Sequence, residues 1–393
     1  MYVSDINSSW TDHPFLLNQF LVKDKKMINK IISVGVREVY IDPSKGLDVP
    51  DAPTYAEIQK EIEGDMINIA GDKKEGRRGD SYRRVTIYEE MGSAKKIFGE
   101  AVRIIHNIMN EARLGNQVGI ERAEPVVGQI SDSILRCPDA FLSLCRVKNK
   151  DDYTFQHSVA VCALQVAFSR SVGLDERSIY YAGIGGLIHD IGKIMVPGNI
   201  LNKPGKLTED EFAIMKSHVS ESKKILDSIS GIENISKQVA CEHHERYDGT
   251  GYPNGLSGEA ISRTGRMAAI CDVYDAITSD RVYHKGMTPH EALSKILEWS
   301  SFHFDRLLVE QFVRAVRIYP VGTLVQLKSG LIGVVVEQCE ENLLYPSVRV
   351  FYDSGRGRYV EPLYLDLSKI NGEDKIELQV SPEKLGIDPL SFL

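Results

Sequence analysis

Five histidines fall within 88 residues of this chain, and each lies inside or at the end of a stretch that is otherwise apolar with helical spacing. They are His157, His189, His218, His243 and His244. Two aspartates are embedded in the same way: Asp190 directly after His189, and Asp272 within Ala269-Ile-Cys-Asp-Val-Tyr-Asp275. A carboxylate buried in an apolar helix is strongly unfavourable unless it is paired or bound to a metal. The chain is therefore constrained to bring these groups together. Imidazoles and carboxylates converging from several helices are a recurrent way to hold first-row metals inside a bundle.

Taken singly, none of these residues is diagnostic. A lone histidine in a helix is ordinarily a hydrogen-bonded core or surface residue. Neighbours such as His189 and Asp190 point about 100° apart on a helix, although at a helix end, for which Gly192 is the signal, they can still converge on one ion. His243-His244 also reads as a polar helix terminus. The combination changes the odds: His, His-Asp, His, His-His and Asp, each on a separate helix. His13, His106, His284, His290 and His303 show no such pattern and read as ordinary polar residues.

The surrounding sequence predicts a mainly α protein. From Tyr88 to Tyr319 the periodicity is helical throughout. Thr208-Glu-Asp-Glu211 reads as a capping box that opens a helix with Phe212, Met215, Val219 and Leu226 along one face. Gly185 and Gly186 sit inside another apolar helix, each at a cost of about 1 kcal/mol against Ala, which close packing of a neighbouring helix explains. Before this region, a helix is expected over Phe20 to Val34 and a β-like run over Val36 to Ile41, ended by Asp42-Pro43. The charged stretch Asp72 to Arg84 reads as a solvated linker. After Tyr319-Pro320, the runs Thr323-Leu-Val-Gln-Leu327, Leu331-Ile-Gly-Val-Val-Val336 and Ser347-Val-Arg-Val-Phe-Tyr352 predict a small antiparallel sheet or partial barrel. The expected divisions are a small N-terminal α/β domain over 1–60, a linker over 61–87, a helical catalytic domain over 88–319 and a β-rich C-terminal tail over 320–393.

Composition narrows the classes. With 42% apolar and 26% charged residues the chain is globular, and no apolar run approaches the ~20 residues that span a bilayer. No basic-then-apolar leader occurs over Met1 to Trp10, and the six cysteines form no CxxC pair, so a reduced, cytoplasmic protein is expected. A net charge of −8 argues against general nucleic-acid binding, but bound divalent cations can still supply local positive charge for a small phosphate ligand. Lys193 shares a side with His189 and Asp190 if their helix continues. It then either contacts a phosphate oxygen or simply pairs with Asp190. Glu245-Arg-Tyr-Asp-Gly-Thr-Gly-Tyr-Pro-Asn-Gly255 is a glycine-rich loop whose glycines permit left-handed backbone and whose Pro253 stiffens the exit.

His189-Asp-Ile-Gly-Lys193, followed by His243-His-Glu-Arg-Tyr-Asp-Gly-Thr-Gly-Tyr-Pro253, resembles the two defining motifs of the HD-GYP subgroup of the HD phosphohydrolase superfamily. The resemblance runs from about Tyr153-Thr-Phe-Gln-His157 to Tyr283 and into the β-rich tail. The N-terminal segment, with Trp10, His13-Pro-Phe15 and Gly35-Val-Arg-Glu-Val-Tyr-Ile-Asp42, resembles a small uncharacterised domain that often precedes HD-GYP domains. In that family a further strand usually precedes the position of Met1-Tyr-Val3, so the first domain is expected to be shortened at its start.

The resemblance implies a helical metallohydrolase core that cleaves a cyclic dinucleotide. Its metal ligands would be His157, His189, Asp190, His218, His243, His244 and Asp272, with Asp190 bridging. Some members add a third metal through a glutamate where this chain has Tyr153, so two divalent ions, Fe or Mn, are expected. Members lacking that glutamate tend to stop at linear pGpG, so cyclic di-GMP opened to pGpG is the first expected reaction, with onward cleavage to GMP as the alternative. In that scheme Asp190 and Lys193 are catalytic: a metal-bridged hydroxide attacks phosphorus in line, Lys193 offsets the developing charge and the ribose 3′ oxygen leaves. Substrate contacts would come from Lys193, Arg281, Lys285 and the Gly251, Tyr252 and Pro253 loop. That loop is also associated in the family with contacts to diguanylate cyclase domains, and a homodimer is compatible with the resemblance. Val282 and His284 depart from the family pattern and leave room for a mixed substrate such as cyclic GMP-AMP. A mononuclear HD nucleotidohydrolase would have no evident use for His218, His243 and His244. A non-catalytic sensor or adaptor would be expected to have lost ligands, and none of the seven is missing.

Overall fold

The computed structural model describes residues 1–8, 19–71, 85–116, 119–146, 148, 152–280, 285–339, 341–370, 374–387 and 389–392. Near the N-terminus β1 (Tyr2–Asp5) pairs antiparallel with β2 (Phe20–Leu21) on one edge and β3 (Tyr40–Ile41) on the other. Between β2 and β3 runs α1 (Lys25–Ser33), whose Ile31 joins Val3, Ile6 and Val36 in a small core. The helix expected from Phe20 thus starts five residues later. Phe20 and Leu21 are held by pairing with Val3 and Tyr2, and the Asp24 carboxylate accepts from the Met27 amide at 2.9 Å to cap the first turn. The β-like run expected over Val36 to Ile41 shortens to the two residues of β3.

Next comes α2 (Tyr55–Gly71), so residues 61–71, expected as the start of a linker, are helical. The reason is packing: Ile62, Met66, Ile69 and Ala70 recur at three- and four-residue spacing and are buried in the main core. The polar stretch Asp72 to Arg84 lies outside the described residues.

The helical body follows with α3 (Ile87–Arg113), α4 (Ala123–Arg136), α5 (Pro138–Cys145), α6 (Tyr153–Ser171) and α7 (Glu176–Ile188). A 3-10 turn, Ile191–Met195, and the short α8 (Gly198–Leu201) lead to α9 (Glu209–Asp227). Then come α10 (Asn234–Glu242), α11 (Arg263–Thr278), α12 (Pro289–Trp299) and α13 (Arg306–Val316). The capping box at Thr208 is present, with Glu211 reaching back to the Thr208 amide at 2.7 Å.

Helix α6 is the axis of this body. Every residue from Gln156 to Ser169 is buried, so it carries no polar stripe. Apolar cores lie on two sides of it: one shared with α2, α11, α12 and α13, the other with α3, α4, α5 and α7. Gly185 and Gly186 explain how α7 comes so near. A Cβ on Gly186 would lie 3.0 Å from Cys162 Cα of α6, and one on Gly185 would lie 2.6 Å from Val239 Cβ of α10.

The C-terminal region is an antiparallel sheet of β4 (Leu324–Leu327), β5 (Leu331–Glu337), β6 (Ser347–Asp353), β7 (Arg358–Asp366) and β8 (Ile376–Gln379), in the order β7-β6-β5-β4-β8. Strand alternation gives it two apolar faces. Val325, Leu327, Val335, Val348 and Val350 join the helical core, while Leu324, Ile332, Val334 and Phe351 face the C-terminal residues around Phe392. Among the described residues no helix is long and apolar enough to cross a membrane. Polar contacts dock the N-terminal sheet region onto the helical body. Trp299 Nε1 donates to Asn7 Oδ1 at 3.0 Å, Tyr40 donates its hydroxyl to Glu298 Oε1 at 2.5 Å, and Arg37 Nε pairs with Asp248 at 2.9 Å.

Candidate metal centre

Three of the five histidines lie in the residues just past the end of a helix. His189 follows α7, His243 and His244 follow α10, and His218 lies within α9. His157 is near the start of α6, and Asp272 is on α11. The fold brings these elements to one point. His218, His243 and His244 can offer ligand atoms within 4.8 Å of one another, as can His157, His189 and Asp272, and also His189, Asp190 and His243. Asp190 stands between the two sets. Its Oδ2 is 3.3 Å from His189 Nε2 and 3.8 Å from His157 Nε2, while its Oδ1 is 3.4 Å from His218 Nε2 and 3.9 Å from His243 Nε2.

Three rings are oriented in the same way. The Nδ1 atoms of His189, His218 and His243 lie 2.8, 2.7 and 2.9 Å from the carbonyl oxygens of Gly186, Met215 and Ala240, each three residues back. A carbonyl only accepts, so each Nδ1 carries the hydrogen and each Nε2 lone pair faces the centre. His157 is held differently. Two carboxylates one turn apart on α11 grip it, Asp275 at Nδ1 (2.6 Å) and Asp272 at Nε2 (3.0 Å). Lys148 and Ser279 bond in turn to Asp275. Asp275 and Lys148 thus join the hydrogen-bond network around His157, and the sequence reading passed over both; Asp275 stood in the quoted stretch, but only its three-residue spacing from Asp272 hinted at a shared task.

The site is assembled by close backbone approach. Gly192 was read as a helix end, but α7 already stops at Ile188 and Gly192 has no left-handed backbone. Its role is space: a Cβ there would lie 2.0 Å from the His218 carbonyl oxygen and 2.4 Å from the Ser222 amide. The Gly192 amide donates to Ser222 Oγ at 2.9 Å, and that hydroxyl donates to the His189 carbonyl at 3.2 Å, which fixes the turn on α9.

Electrostatics leave three imidazoles neutral and two carboxyls charged, while His189 is raised from the usual histidine value, burial being outweighed by the neighbouring Asp190. Burial lowers the His218 imidazole to about 4, lowers His243 to about 3 and drives His244 well down, so all three are neutral donors at neutral pH. Burial opposes the charged form of Asp190, but His189 and Lys193 outweigh it and hold the carboxyl well below the usual range. Asp272 is likewise held well below that range: burial opposes its charge and the hydrogen bond with His157 prevails.

Four polar atoms in this centre, Nε2 of His189, His218 and His243 and Oδ1 of Asp190, are buried with no hydrogen-bond partner among the described residues. Each such atom costs about 1–3 kcal/mol if left so. Their convergence fits divalent cations, and an all-nitrogen-and-oxygen donor set suits first-row metals such as Fe or Mn.

Lys193 extends from the 3-10 turn onto Asp190 Oδ2 at 2.5 Å, with 26% of its side chain exposed. The pairing foreseen as its simpler reading is therefore present. The Tyr252 ring stacks on His244 with centroids 4.7 Å apart, and its amide donates to the His244 carbonyl at 3.1 Å. Glu245 shapes the rest of the loop by accepting the Asn254 and Leu256 amides at 2.7 and 2.9 Å. Gly251 is required for space and not for left-handed backbone: a Cβ would lie 2.3 Å from the Arg246 amide nitrogen. Pro253 follows Tyr252 in the same loop. Lys285 donates to Ser381 Oγ at 3.1 Å, toward the C-terminal segment. Arg281, with Val282 and His284, lies outside the described residues, as do Trp10 and His13. His106, His290 and His303 take no part in the cluster: they sit against Phe155, Tyr319 and the Gly35 carbonyl. Tyr153 stacks beside His157, with ring centroids 6.0 Å apart.

Residues 146–308 match the HD domain family, and residues 1–123 match a domain of unknown function, DUF3391. The chain is 41% identical over 377 residues to the cyclic di-GMP phosphodiesterase PA4108 of Pseudomonas aeruginosa, covering 96% of this chain and 88% of that protein. It is 39% identical over 151 residues to the 3'3'-cGAMP-specific phosphodiesterase 1 of Vibrio cholerae, covering 38% of this chain and 34% of that protein. Among solved structures, Bd1817, an HDG"Y"P protein from Bdellovibrio bacteriovorus, aligns with a TM-score of 0.47 at 16% identity, over 76% of this chain and 88% of that one. With its histidine–aspartate cluster in place and the Pseudomonas relative matched almost end to end, the chain belongs to the HD-GYP family of HD-domain metallohydrolases, with DUF3391 as its N-terminal part.

Proposed function

We propose that this chain is a metal-dependent phosphodiesterase that opens cyclic di-GMP to linear pGpG. The observation that carries the reading is the position of Asp190, whose two carboxylate oxygens face different sets of imidazoles. That arrangement suits two cations: His157, His189 and Asp272 would hold one, His218, His243 and His244 the other, and Asp190 both. Divalent ions, Fe or Mn, would supply Lewis acidity and an activated water there.

The chain's own residues do the rest. The carbonyl tethers keep three Nε2 lone pairs aimed inward, and Asp275 keeps His157 turned the same way. Lys193, paired with Asp190 and about a quarter exposed, offsets charge on the phosphate oxygens as the P–O bond to the ribose 3′ oxygen breaks. Tyr252 presents an aromatic face at the mouth, where a base can stack. One hydrolytic event leaves a 5′-phosphate and a 3′-hydroxyl, and Tyr153, beside His157, adds no carboxylate for a third cation.

The test is anaerobic purification, chelation, and reloading with Fe(II) or Mn(II), followed by chromatography of products from cyclic di-GMP and cyclic GMP-AMP side by side. About two metals per chain and pGpG as product are expected, with Asp190→Ala losing both metal and turnover. Retention of wild-type turnover by that variant, or a stoichiometry of one metal, would sink the reading.

A further inference from the structure

Where the N-terminal region meets the helical body, a cavity of about 210 Å³ opens between the end of α1 and the start of α9. Lys30 and Val34 wall it from the α1 side, Phe212 and Lys216 from α9, and Arg246 and Tyr252 from the loop after α10. The Tyr252 ring belongs to this cavity and to the metal centre alike, since it also stacks on His244 at 4.7 Å. Lys216 Nζ stands 5.6 Å from the Tyr252 ring centroid and 5.3 Å from that of Phe212. The lining carries three cationic side chains against one acid, Glu209, which pairs with Lys30.

Whole-ligand pockets typically measure about 300–1,000 Å³, so this cavity suits part of a ligand. Cations beside aromatic rings are the chemistry that receives a phosphate and its neighbouring base. A cyclic dinucleotide has two phosphodiesters, and when one faces the histidines the other must lie nearby.

We propose that this cavity is the subsite for the second nucleotide of the cyclic dinucleotide, with Lys216 and Arg246 at its phosphate and Tyr252 at its base. The inference rests on the phosphodiesterase reading above. It makes the N-terminal region part of the substrate site. The two segments come close there: Gly35 has φ +80°, and a Cβ on it would lie 2.5 Å from Arg246 Nη1 and 2.8 Å from Thr250 Oγ1. Arg37 holds the same loop through Asp248.

The test compares KM and kcat of the metal-loaded full chain on cyclic di-GMP and on bis(p-nitrophenyl) phosphate, a small diester that needs only the metal centre. Wild type that hydrolyses neither ester overturns the phosphodiesterase reading itself. With wild type active, Lys216→Ala and Arg246→Ala are each expected to raise KM for cyclic di-GMP by about tenfold or more, with the small-ester KM moving far less. Ser33→Trp fills the cavity from an exposed position on α1, leaves the fold alone and is expected to raise the same KM. The subsite is overturned if cyclic di-GMP KM in all three variants stays within about twofold of wild type, or if both esters lose affinity equally.

Discussion

The helical body and the N-terminal sheet region treat buried polar groups in opposite ways. In the body, imidazole and carboxylate atoms are buried facing one another, four of them with no hydrogen-bond partner among the described residues, and their orientation comes from the helices that bear them. Among the described residues of the N-terminal region the buried apolar core is Val3, Ile6, Ile31 and Val36, with Phe20, Val22, Val34 and Val39 packed against it. Polar pairs such as Asn7 with Trp299 and Arg37 with Asp248 tie it to its neighbour. The contrast teaches that polarity in the first region is chemistry held ready and in the second is adhesive. Disturbing the first should cost metal and fold together; disturbing the second should loosen docking and leave the metals in place.

The largest effect tests that division at its most crowded point. Gly192→Ala places a Cβ against the His218 carbonyl and the Ser222 amide, both backbone atoms that cannot swing away. A loss of about 3 kcal/mol or more in denaturant unfolding is expected, with metal content falling in parallel. Wild-type stability in this variant would break the claim that site and fold share that contact. A smaller effect separates orientation from ligation. Asp275→Asn keeps the shape beside His157 Nδ1 and removes the charge, so metal affinity should fall about 10–100-fold in chelator competition, with activity returning at high metal. A variant with unchanged affinity would mean that the Asp275 contact is structural only. The smallest effect belongs to the N-terminal region. Asn7→Ala leaves the buried Trp299 Nε1 without its acceptor, which should weaken docking by about 1–3 kcal/mol. Faster protease cleavage within residues 1–60 is expected, with unaltered metal content. Loss of metal here would erase the distinction between the two regions.

The parts of the site that were legible in sequence were those written by residue type. The histidines and the two acids stood out because polar groups in apolar helices need a reason, and Thr208-Glu211 announced a helix start. Asp275 did not stand out because its partner is 118 residues away on α6, and nothing local marks such a pair. Gly192 and Gly251 were noticed as glycines and explained by the wrong property, since neighbouring backbone that would collide with a side chain is invisible until the helices are packed. The start of α1 was readable in principle: Asp24 is a normal N-cap, and the apolar Phe20 and Leu21 drew the prediction too far back because strand and helix residues are alike over so short a run. The helical half of the expected linker was obscured by the charged residues that follow it.

The tethers of His189, His218 and His243 each close within a single helical turn of their own segment. Ring orientation is therefore set by local backbone and does not wait for a cation to arrive. A receptor shaped in advance can be filled after folding is over. Which ion occupies it then depends on what is abundant nearby as well as on ligand chemistry, so the same polypeptide made under iron-poor or manganese-poor growth should carry different cargo on an identical frame.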